Sequence, residues 1–451
     1  MSMPEATAAL GSSVSRGIVE SHGSPVYVLD LERLDRNYAA FADSWGRAGY
    51  PVSIFYSVKT NYLPIVCRRM RMHGAGADVV SGHEIEVALA AGFSGEQLVL
   101  NGPMKTAEEI ERVVELGGTV NIDALGDVVI LEKLARRLGR ILDAGLRINP
   151  SVSPYTSSDP SYTERMARAA RRSKFGWPLH TGAANRVAGQ IADSPHLRLA
   201  GLHCQLGSQV TDTDAFLVAI DGMLRFAATS PHRADLRTLN VGGGFGVPGI
   251  ERRRIGPIGD LLEEHEAGDL LERVEVFDLD RFIAGLLERV EHHGLGELEI
   301  ACEPGRVIVS DAISLLTTVV SVKDIGEGTW VILDGGVNLL PTAGPAEKHE
   351  MAVVDREEAR CADFMVAGPL CYDHDVYSHR QALAADVSVG DLVEIRDAGA
   401  YSISRATNFI RGRAPVVATL GGTSELCWER ESSEDIFAPA VYTSFEAEAD
   451  R

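Results

Sequence analysis

Cysteine is scarce in this chain and follows no pattern. Six cysteines are scattered over 451 residues, and no two have the C-x-x-C spacing that is typical of metal clusters and redox motifs. This scatter disfavours a disulfide framework and is typical of a protein in a reducing compartment. We therefore predict a chain without a bound metal.

The chain also lacks a long apolar run. No segment approaches the roughly 20 apolar residues that cross a bilayer as a helix. Residues 1–24 are polar and rich in small residues, without the basic start and apolar core of a signal peptide. These absences predict a cytoplasmic protein with no membrane partner.

Positive charge is in deficit. The 43 Lys and Arg residues are outnumbered by 64 Asp and Glu residues, which gives a net charge of -21. Nucleic acids and anionic membranes repel such a surface, so we expect neither as a partner. An acidic surface suits cationic substrates, but that inference has little weight because acidic chains are common.

Short apolar runs are abundant instead. They alternate with amphipathic stretches, which predicts parallel strands separated by helices. Eight such units predict a closed (β/α)8 barrel, in which functional side chains stand at the carboxyl ends of the strands. The eight runs lie near residues 52–58, 76–80, 97–101, 119–123, 141–149, 198–206, 237–241 and 297–303.

The pattern changes after Glu303. Strand-like runs then dominate, for example at 314–322, 330–333 and 392–395. We predict an α/β protein in which a TIM-type barrel, residues 35–305, is followed by an all-β sandwich or barrel. Residues 1–34, with a strand at 26–29, are assigned to the β-domain together with residues 306–451.

Two gaps between the predicted barrel strands need insertions. Residues 150–173 predict a long loop over the barrel mouth, either a solvated insertion or a lid over the site. Residues 249–275 combine a basic cluster with an acidic, helix-like stretch, and we interpret them as a surface insertion. The acidic end of the chain, from about Ser444, is expected to fray.

Polar and glycine residues stand where the predicted strands end. Lys59 follows the first strand, Gly242-Gly243-Gly244 the seventh and Glu303 the eighth. A lysine can form a Schiff base, glycines and an arginine can hold a phosphate, and a buried carboxylate can pair with a ring nitrogen. A pyridoxal 5'-phosphate (PLP) enzyme needs these parts. Other strand ends carry Asp78, Asn101, Arg147, Gln205 and Ser208.

Eight motifs occur in a specific order between about Ser24 and Val417. They are Tyr56–Asn61, Asp78–Ser81, Ser173–Gly176, Gly207–Gln209, the Gly242 triplet, Glu303–Arg306, Gly368–Cys371 and Gly399–Tyr401. In this order they resemble the PLP-dependent diaminopimelate/ornithine decarboxylase family, the group IV decarboxylases with the alanine-racemase type of fold. The resemblance implies a homodimer whose β-domains complete the active sites.

The resemblance also implies roles for matching residues. Lys59 matches the Schiff-base lysine, and Glu303 matches the glutamate that pairs with the pyridine nitrogen. Alanine racemases place an arginine there, which weakens the electron sink, so Glu303 favours decarboxylation over racemisation. The cofactor is expected to contact Asp78, Arg147, Gln205, Ser208, Gly243, Gly244, Arg306 and Tyr401. The last five of these are expected to hold the phosphate.

Cys371 matches the cysteine that the family donates across the dimer interface to protonate the substrate carbon after CO2 leaves. We expect Tyr372 and Asp375 to contact the substrate. The run Asp373-His374-Asp375 is not interpreted as a metal site, because three adjacent ligands rarely converge on one ion.

The chain departs from the family pattern at three places. Gln205 stands where most members have a histidine that stacks on the cofactor ring, and an amide does not titrate near neutral pH. Residues 338–344 lack the arginine and tyrosine with which diaminopimelate decarboxylases grip a substrate carboxylate. Tyr372 replaces the acidic residue that reads a distal amine. Each lost charge-assisted hydrogen bond is worth about 1.5–3 kcal/mol, which makes diaminopimelate, ornithine and lysine poor candidates.

We therefore predict a decarboxylase of a non-standard or conjugated amino acid, free or carrier-bound, in secondary metabolism. Gly368–Cys371 is similar to a motif of decarboxylases in siderophore and antibiotic assembly. The alternatives are a racemase or another Cα lyase on the same fold, diaminopimelate decarboxylase proper, and a non-catalytic relative. Intact Lys59, Glu303 and Cys371 count against the last of these.

Overall fold

The structure is a computed structural model that describes residues 10–155, 160–253, 271–272, 277–344, 347–356 and 360–440. Among these residues, Glu32–Arg252 and Glu272–Ala312 form one compact unit, and the residues up to Leu31 and from Ile313 onward form most of a second. The division therefore falls near the predicted boundaries at 35 and 305.

The first unit contains a closed barrel of eight parallel strands. Each strand pairs with the next in the chain, and the eighth returns to pair with the first, with Cys302 opposite Ile54. In chain order the barrel strands are Val52–Ser57, Gly76–Val79, Leu98–Leu100, Thr119–Ile122, Leu142–Asn149, Leu197–His203, Thr238–Asn240 and Glu299–Cys302. All eight predicted strands and the predicted barrel are confirmed.

Helices follow the barrel strands, and several of them begin at a polar N-cap residue. The Thr106 hydroxyl accepts the N–H of Glu109, and the Glu109 carboxylate accepts the N–H of Thr106, a reciprocal capping box. The helices of this unit are Leu31–Arg47, Pro64–Met72, Gly82–Ala90, Ala107–Glu115, Leu125–Leu138, Pro160–Arg171, Ala183–Ala192, Thr213–Thr229, Leu279–His292 and Arg306–Val309. Within the part of the chain that is described, no helix is long and apolar enough to span a membrane.

The sequence predicted a long loop at residues 150–173, but this insertion is not only a loop. It contains the helix Pro160–Arg171. Alanine and arginine are strong helix formers, and Glu164 pairs with Arg168 one turn later, at 3.0 Å. In the insertion at residues 249–275, Ile250–Arg253 and Leu271–Glu272 are strands. Its acidic stretch, and the chain end near Ser444, lie outside the described residues.

The second unit is built on a mixed β-sheet. The strand Val26–Asp30 runs antiparallel to Ile313–Asp324 and parallel to Val416–Leu420. Ile313–Asp324 also pairs with Thr329–Leu333 and with Leu392–Ile395. The remaining strands of the sheet are Met351–Val353, Cys361–Ala367, Val376–Ala384 and Thr423–Trp428. The helices Ser12–His22 and Ser433–Phe437 also belong to this unit, and the predicted β-domain is confirmed. Two short strands outside this sheet are Trp177–Pro178, which pairs with the fifth barrel strand, and Glu347–His349.

Candidate active site

Lys59 lies in a single 3-10 turn, Val58–Thr60, directly after the first barrel strand. Its Nζ donates a hydrogen bond to Ser57 Oγ at 2.7 Å and pairs with Asp78 Oδ2 from the second strand. Ser57 Oγ donates to the same Asp78 oxygen at 2.8 Å. The Asp78 side chain is fully buried, whereas that of Lys59 is 37% exposed. A buried carboxylate therefore holds an amine that a ligand can still reach.

Asn101 connects this pair to Glu303. Its Nδ2 donates to Asp78 Oδ1 at 2.7 Å and to Glu303 Oε1 at 2.8 Å, and its Oδ1 accepts from Asn121 Nδ2 at 2.8 Å. Lys59, Asp78, Asn101 and Glu303 come from the ends of the first, second, third and eighth barrel strands, and Asn121 lies in the fourth. Parallel strands of a barrel bring their carboxyl ends together, so the prediction that these positions converge is consistent with the fold.

Glu303 is buried among three donors. Asn240 Nδ2 donates to Oε1 at 2.8 Å, in addition to Asn101, and His203 Nε2 lies 3.0 Å from Oε2. Burial alone would raise the pKa of Glu303, but the facing His203, the Lys59 ammonium and the Asn101 amide together lower it below its usual value. A carboxylate has about four acceptor positions, so one position at Oε2 remains for a further N–H. An ionised Glu303 can therefore accept a pyridinium N–H.

The glycine loop after the seventh strand is tightly enclosed. Gly242 and Gly244 have φ angles of 69° and 92°, in the region that favours glycine. A Cβ on Gly243 would lie 2.0 Å from the Glu303 carbonyl oxygen, so no other residue fits there. Phe245, the next residue, packs in a cluster with Phe41, Phe216, Phe277 and Phe282. The loop is thus anchored at its carboxyl end.

The side chain of Gln205 bonds to the backbone of two loops, and its contact with the cofactor stays a prediction. Its Oε1 accepts the N–H of Gly243 at 2.6 Å, and its Nε2 donates to the carbonyl of Gly207 at 2.6 Å. The N–H of Gly243, which we had expected to face a phosphate, is therefore bonded to a side chain. Nearby, the Tyr155 hydroxyl bonds to the backbone N–H and carbonyl of Ser208, at 2.9 and 2.8 Å. The loop that carries Ser208 is thus held by two side chains.

Arg147 and Arg306 are both buried. Arg147 Nη1 lies 2.9 Å from Asp123 Oδ2, and its guanidinium lies 4.7 Å from the ring centroid of Phe175. The observed contacts of Arg147 thus hold the motif Ser173–Gly176 to the barrel, and a contact with the cofactor remains a prediction. Arg306 is the first residue of the helix Arg306–Val309.

Glu84 is a site residue that the sequence reasoning missed. Its Oε2 accepts the N–H of Val80 at 3.0 Å, and its backbone N–H donates to Ser81 Oγ. Burial raises the pKa of Glu84 to about 7; the charge of Asp78 adds to this, while Lys59 and the Val80 N–H oppose it. The capping pattern Ser81-x-x-Glu84 after the second strand was the signal that could have found it. His203 and Asn240, which end the sixth and seventh strands, were missed as well.

In the second unit, Cys371 is exposed in the loop between the strands Cys361–Ala367 and Val376–Ala384. Asp375 in the same loop is 2% exposed. Its Oδ1 accepts the N–H of Val337 at 2.8 Å, and its Oδ2 accepts the N–H of Leu370 at 2.7 Å. Burial raises the pKa of Asp375, and the two N–H groups oppose that shift. These contacts favour a role in shaping the Cys371 loop over the predicted contact with substrate.

Tyr372 and Tyr401 also belong to the second unit. Tyr372 is 49% exposed, and its ring meets those of His374 and Phe409 edge to face, with centroids 5.3 and 6.0 Å apart. Tyr401 has a φ of 58°, in the left-handed region that bulky residues rarely adopt. Such strain is typical of functional positions, which agrees with the role predicted for Tyr401.

A cavity of about 210 Å³ lies beside Gln205 in the first unit. Its wall includes Tyr155, Phe175 and Leu206, and the helix Pro160–Arg171 contributes Met166. Part of the 150–173 insertion thus lines a space next to the predicted site. This favours the lid interpretation of the insertion over a purely solvated one.

The residues of the barrel fit PLP. An amine, an ionised carboxylate with one acceptor position left, and a glycine loop that tolerates no Cβ stand on neighbouring strand ends. Where the chain is described, no three His, Cys, Asp or Glu side chains form a group that could hold a metal ion. The amine of Lys59 and the carboxylate of Glu303 suit an organic cofactor that carries an aldehyde and a basic ring nitrogen.

Comparisons with known proteins agree with this fit. The family model "Pyridoxal-dependent decarboxylase, pyridoxal binding domain" matches residues 31–310. Diaminopimelate decarboxylase of Bacillus subtilis is 31% identical, over 93% of this chain and 92% of that protein. The crystal structure of diaminopimelate decarboxylase from Methanocaldococcus jannaschii superimposes with a TM-score of 0.82 at 26% identity, covering 95% of this chain and 94% of that one. The Helicobacter pylori enzyme complexed with L-lysine gives 0.79 at 26% identity, covering 96% and 99%.

Proposed function

Because the chain belongs to the pyridoxal-dependent decarboxylases, the PLP-dependent carboxy-lyases that act on amino acids, we propose that its substrate is a non-standard or conjugated amino acid. The observation that carries this proposal is Tyr372, the residue after Cys371. It presents a ring packed against Phe409 and His374, and not a carboxylate. A distal ammonium group would find no charged partner in that side chain.

The segment at residues 338–344 supports the same conclusion. It contains no charged residue, and its side chains Leu339, Leu340 and Thr342 are buried. Asn338 is buried too, and its Nδ2 donates to the carbonyls of Thr407 and Arg411, both at 3.3 Å. This stretch is therefore part of the β-unit's interior, and it supplies no cation for a second substrate carboxylate.

Each site residue has a distinct task in the proposed reaction. When bound, PLP withdraws electrons from the substrate carbon that loses CO2. Lys59 would bind the cofactor aldehyde, and Asp78 holds the amine of Lys59 before that. Glu303 would keep the ring nitrogen protonated, and Asn101, Asn240 and His203 fix its carboxylate. Cys371 is the proposed donor of the proton that replaces CO2.

Diaminopimelate decarboxylation is the second candidate. The similarity to the diaminopimelate decarboxylase of Bacillus subtilis, which extends over nearly the whole of both chains, favours it. Racemisation is disfavoured by the resemblance, because alanine racemases place an arginine at the ring nitrogen where this chain has Glu303.

A homodimer in a reducing cytoplasm is part of the same proposal. The resemblance implies that Cys371 of the partner subunit completes each site, and the six cysteines include no disulfide. Sedimentation of the purified protein measures the dimer, and mixing Lys59→Ala with Cys371→Ala subunits tests the shared site. Partial recovery of activity in the mixture supports sharing; two inactive proteins that stay inactive after exchange contradict it.

The substrate is tested by mass spectrometry of reactions in D2O. The PLP-loaded protein is incubated with diaminopimelate, ornithine, lysine, arginine, glutamate, and citrate- or carrier-linked diamines. We expect a conjugated or carrier-linked amino acid to yield a product without CO2 and with one deuterium at the former Cα. Fast turnover of free diaminopimelate would instead support the second candidate, and deuterium exchange without loss of mass would show a racemase.

Tyr372→Glu is the matched variant for this panel. If Tyr372 excludes distal ammonium groups, the new carboxylate should increase kcat/KM for lysine or ornithine on the order of tenfold, the value of one charge-assisted hydrogen bond. Tyr372→Phe, which removes only the hydroxyl, should leave diamine turnover as low as in the wild type. Equal behaviour of the Glu and Phe variants would show that Tyr372 does not select the substrate.

A further inference from the structure

We propose that Gln205 is a positioning residue that ties together the two loops expected to receive the cofactor phosphate. One loop follows the sixth barrel strand and carries Gly207 and Ser208, and the other is the glycine loop Gly242–Gly244. The side-chain amide of Gln205 bonds to both, as acceptor toward Gly243 and as donor toward Gly207. The proposal concerns the order of the phosphate site before the cofactor binds.

The backbone between the two loops leaves space for this amide and little else. A Cβ on Gly242 would lie 2.4 Å from Gln205 Oε1, and one on Gly244 would lie 2.2 Å from the Gly207 carbonyl oxygen. Val210 N–H also donates to the Gly244 carbonyl, at 2.9 Å, and Gly246 N–H to the Val210 carbonyl, at 2.8 Å. The loops are therefore joined by the backbone on one side and by Gln205 on the other.

A side-chain link at this place has a physical consequence for binding. Glycine loses more conformational entropy on ordering than any other residue, so a loop of three glycines is costly to fix at the moment of binding. A link that orders the loop in the free protein reduces that cost and increases affinity without touching the ligand. The two bonds of the Gln205 amide go to the backbone of these loops, so the effect proposed for it is on loop order.

This role differs from that of the histidine that most relatives carry at the position. A ring-stacking residue acts on the pyridine ring, and its removal weakens binding of pyridoxal and of PLP alike. A residue that orders the phosphate loops acts only on ligands that carry the phosphate. The two roles are therefore separated by comparing the two ligands.

The test uses Gln205→Met, which keeps the size of the side chain and removes both hydrogen bonds. Dissociation constants of the apoprotein are measured for PLP, for pyridoxal and for inorganic phosphate, and amide hydrogen exchange is followed at Gly243. We expect Gln205→Met to weaken PLP and phosphate on the order of tenfold to a hundredfold, the loss of two neutral hydrogen bonds, and to leave pyridoxal unchanged. The Gly243 amide should exchange faster.

Gln97→Met is the matched control. Gln97 also joins two backbone groups, accepting from the Ser94 N–H and donating to the Ala75 carbonyl, but it precedes the third strand at the other end of the barrel. This variant should be destabilised without a change in any of the three dissociation constants. Equal weakening of pyridoxal and PLP by Gln205→Met, or unchanged PLP affinity and Gly243 exchange, would overturn the proposal.

The inference rests on the proposed function for the identity of the phosphate ligand, and the readouts keep the two apart. If the wild type decarboxylates none of the candidate substrates, the substrate proposal fails while the PLP-to-pyridoxal ratio still reports on Gln205. If the wild type is active and the ratio does not change in Gln205→Met, the positioning role fails alone.

Discussion

Glu303 in the barrel unit and Asp375 in the β-unit are both buried carboxylates, yet their pKa values move in opposite directions. Burial raises both. Around Glu303 that effect is outweighed by His203, by the Lys59 ammonium and by side-chain amide donors, so the pKa falls. Around Asp375 the opposing groups in the described part of the chain are the neutral N–H groups of Val337 and Leu370, and the pKa rises.

The difference shows what each carboxylate is suited to do. A carboxylate held ionised by charged partners can stabilise positive charge on a ligand, as proposed for Glu303. A carboxylate that only accepts backbone N–H groups determines the path of a loop, and here that loop carries Cys371. At these two positions, side chains of the barrel keep Glu303 ionised, while backbone N–H groups of the β-unit fix Asp375 and the loop that carries it.

The largest effect is expected from removing the Lys59 ammonium group, one of the charged partners of Glu303. Lys59→Ala should abolish CO2 release and the absorbance of covalently held cofactor, because no other amine faces Asp78 in the described contacts. Steady-state CO2 release by the PLP-loaded variant is the measurement. Activity within tenfold of the wild type would contradict the covalent role.

Glu303→Gln removes the negative charge and keeps the shape. We expect kcat to fall on the order of 10²-fold, since a preorganised charge beside the reacting ring is lost. Because the pKa of Glu303 is lowered in the folded protein, its ionised form stabilises the fold at pH values above the usual pKa of 4.5. This contribution is lost as the pH falls through the lowered pKa. Urea unfolding should therefore show the variant to be less stable at pH 7, with a smaller deficit below pH 4. A deficit that is constant with pH would contradict an ionised Glu303.

Glu84 is a second buried carboxylate of the barrel unit, and its pKa moves in the opposite direction to that of Glu303. Its pKa rises from 4.5 to about 7, so its contribution to stability is complete below pH 4.5 and is lost as the pH rises through 7. The full loss is about 3 kcal/mol by the usual conversion of a pKa shift. Unfolding of the apoprotein between pH 4.5 and 8 should thus have a steeper decline in the wild type than in Glu84→Gln. Parallel curves would show that Glu84 is not buried next to Asp78.

Asp375→Asn tests the carboxylate that accepts two neutral backbone N–H groups, and it should have the smallest effect of these variants. An amide offers one acceptor oxygen to two N–H groups, so we expect a loss of about 1–3 kcal/mol in stability. Cys371 should also react at a changed rate with a thiol reagent, as measured by peptide mass spectrometry. Asp373→Asn, an exposed neighbour, is the control and should do neither. The same thiol rate in both variants would remove Asp375 from any role in the Cys371 loop.

The barrel was predictable because buried parallel strands appear in the sequence as uninterrupted apolar runs. Its main site residues were predictable because the polar residues at the ends of such strands converge. Lys59, Asp78 and Glu303 were identified in this way, and their proximity is observed. The helix Pro160–Arg171 was missed because the surrounding Pro, Ser and Thr residues masked a stretch of good helix formers.

The hydrogen-bond partners could not be predicted in the same way. Which of Asn101, Asn240 and His203 reaches Glu303 depends on distances across the barrel that no local pattern encodes. For Gln205 the residue type was informative, but the direction of its amide follows from two loops, one with Gly207 and Ser208 and the other Gly242–Gly244, that lie apart in sequence. The bonds of Asp375 to the N–H groups of Val337 and Leu370 could not be predicted either, because its burial by a neighbouring segment is not visible in the sequence.

The central claim is that the barrel binds PLP covalently at Lys59. Borohydride reduction of the PLP-loaded protein, followed by digestion and peptide mass spectrometry, tests it most directly. We predict a single phosphopyridoxyl adduct, on the peptide that contains Lys59. An adduct on another lysine, such as Lys105 or Lys174, or no adduct at all, would contradict this account of the site.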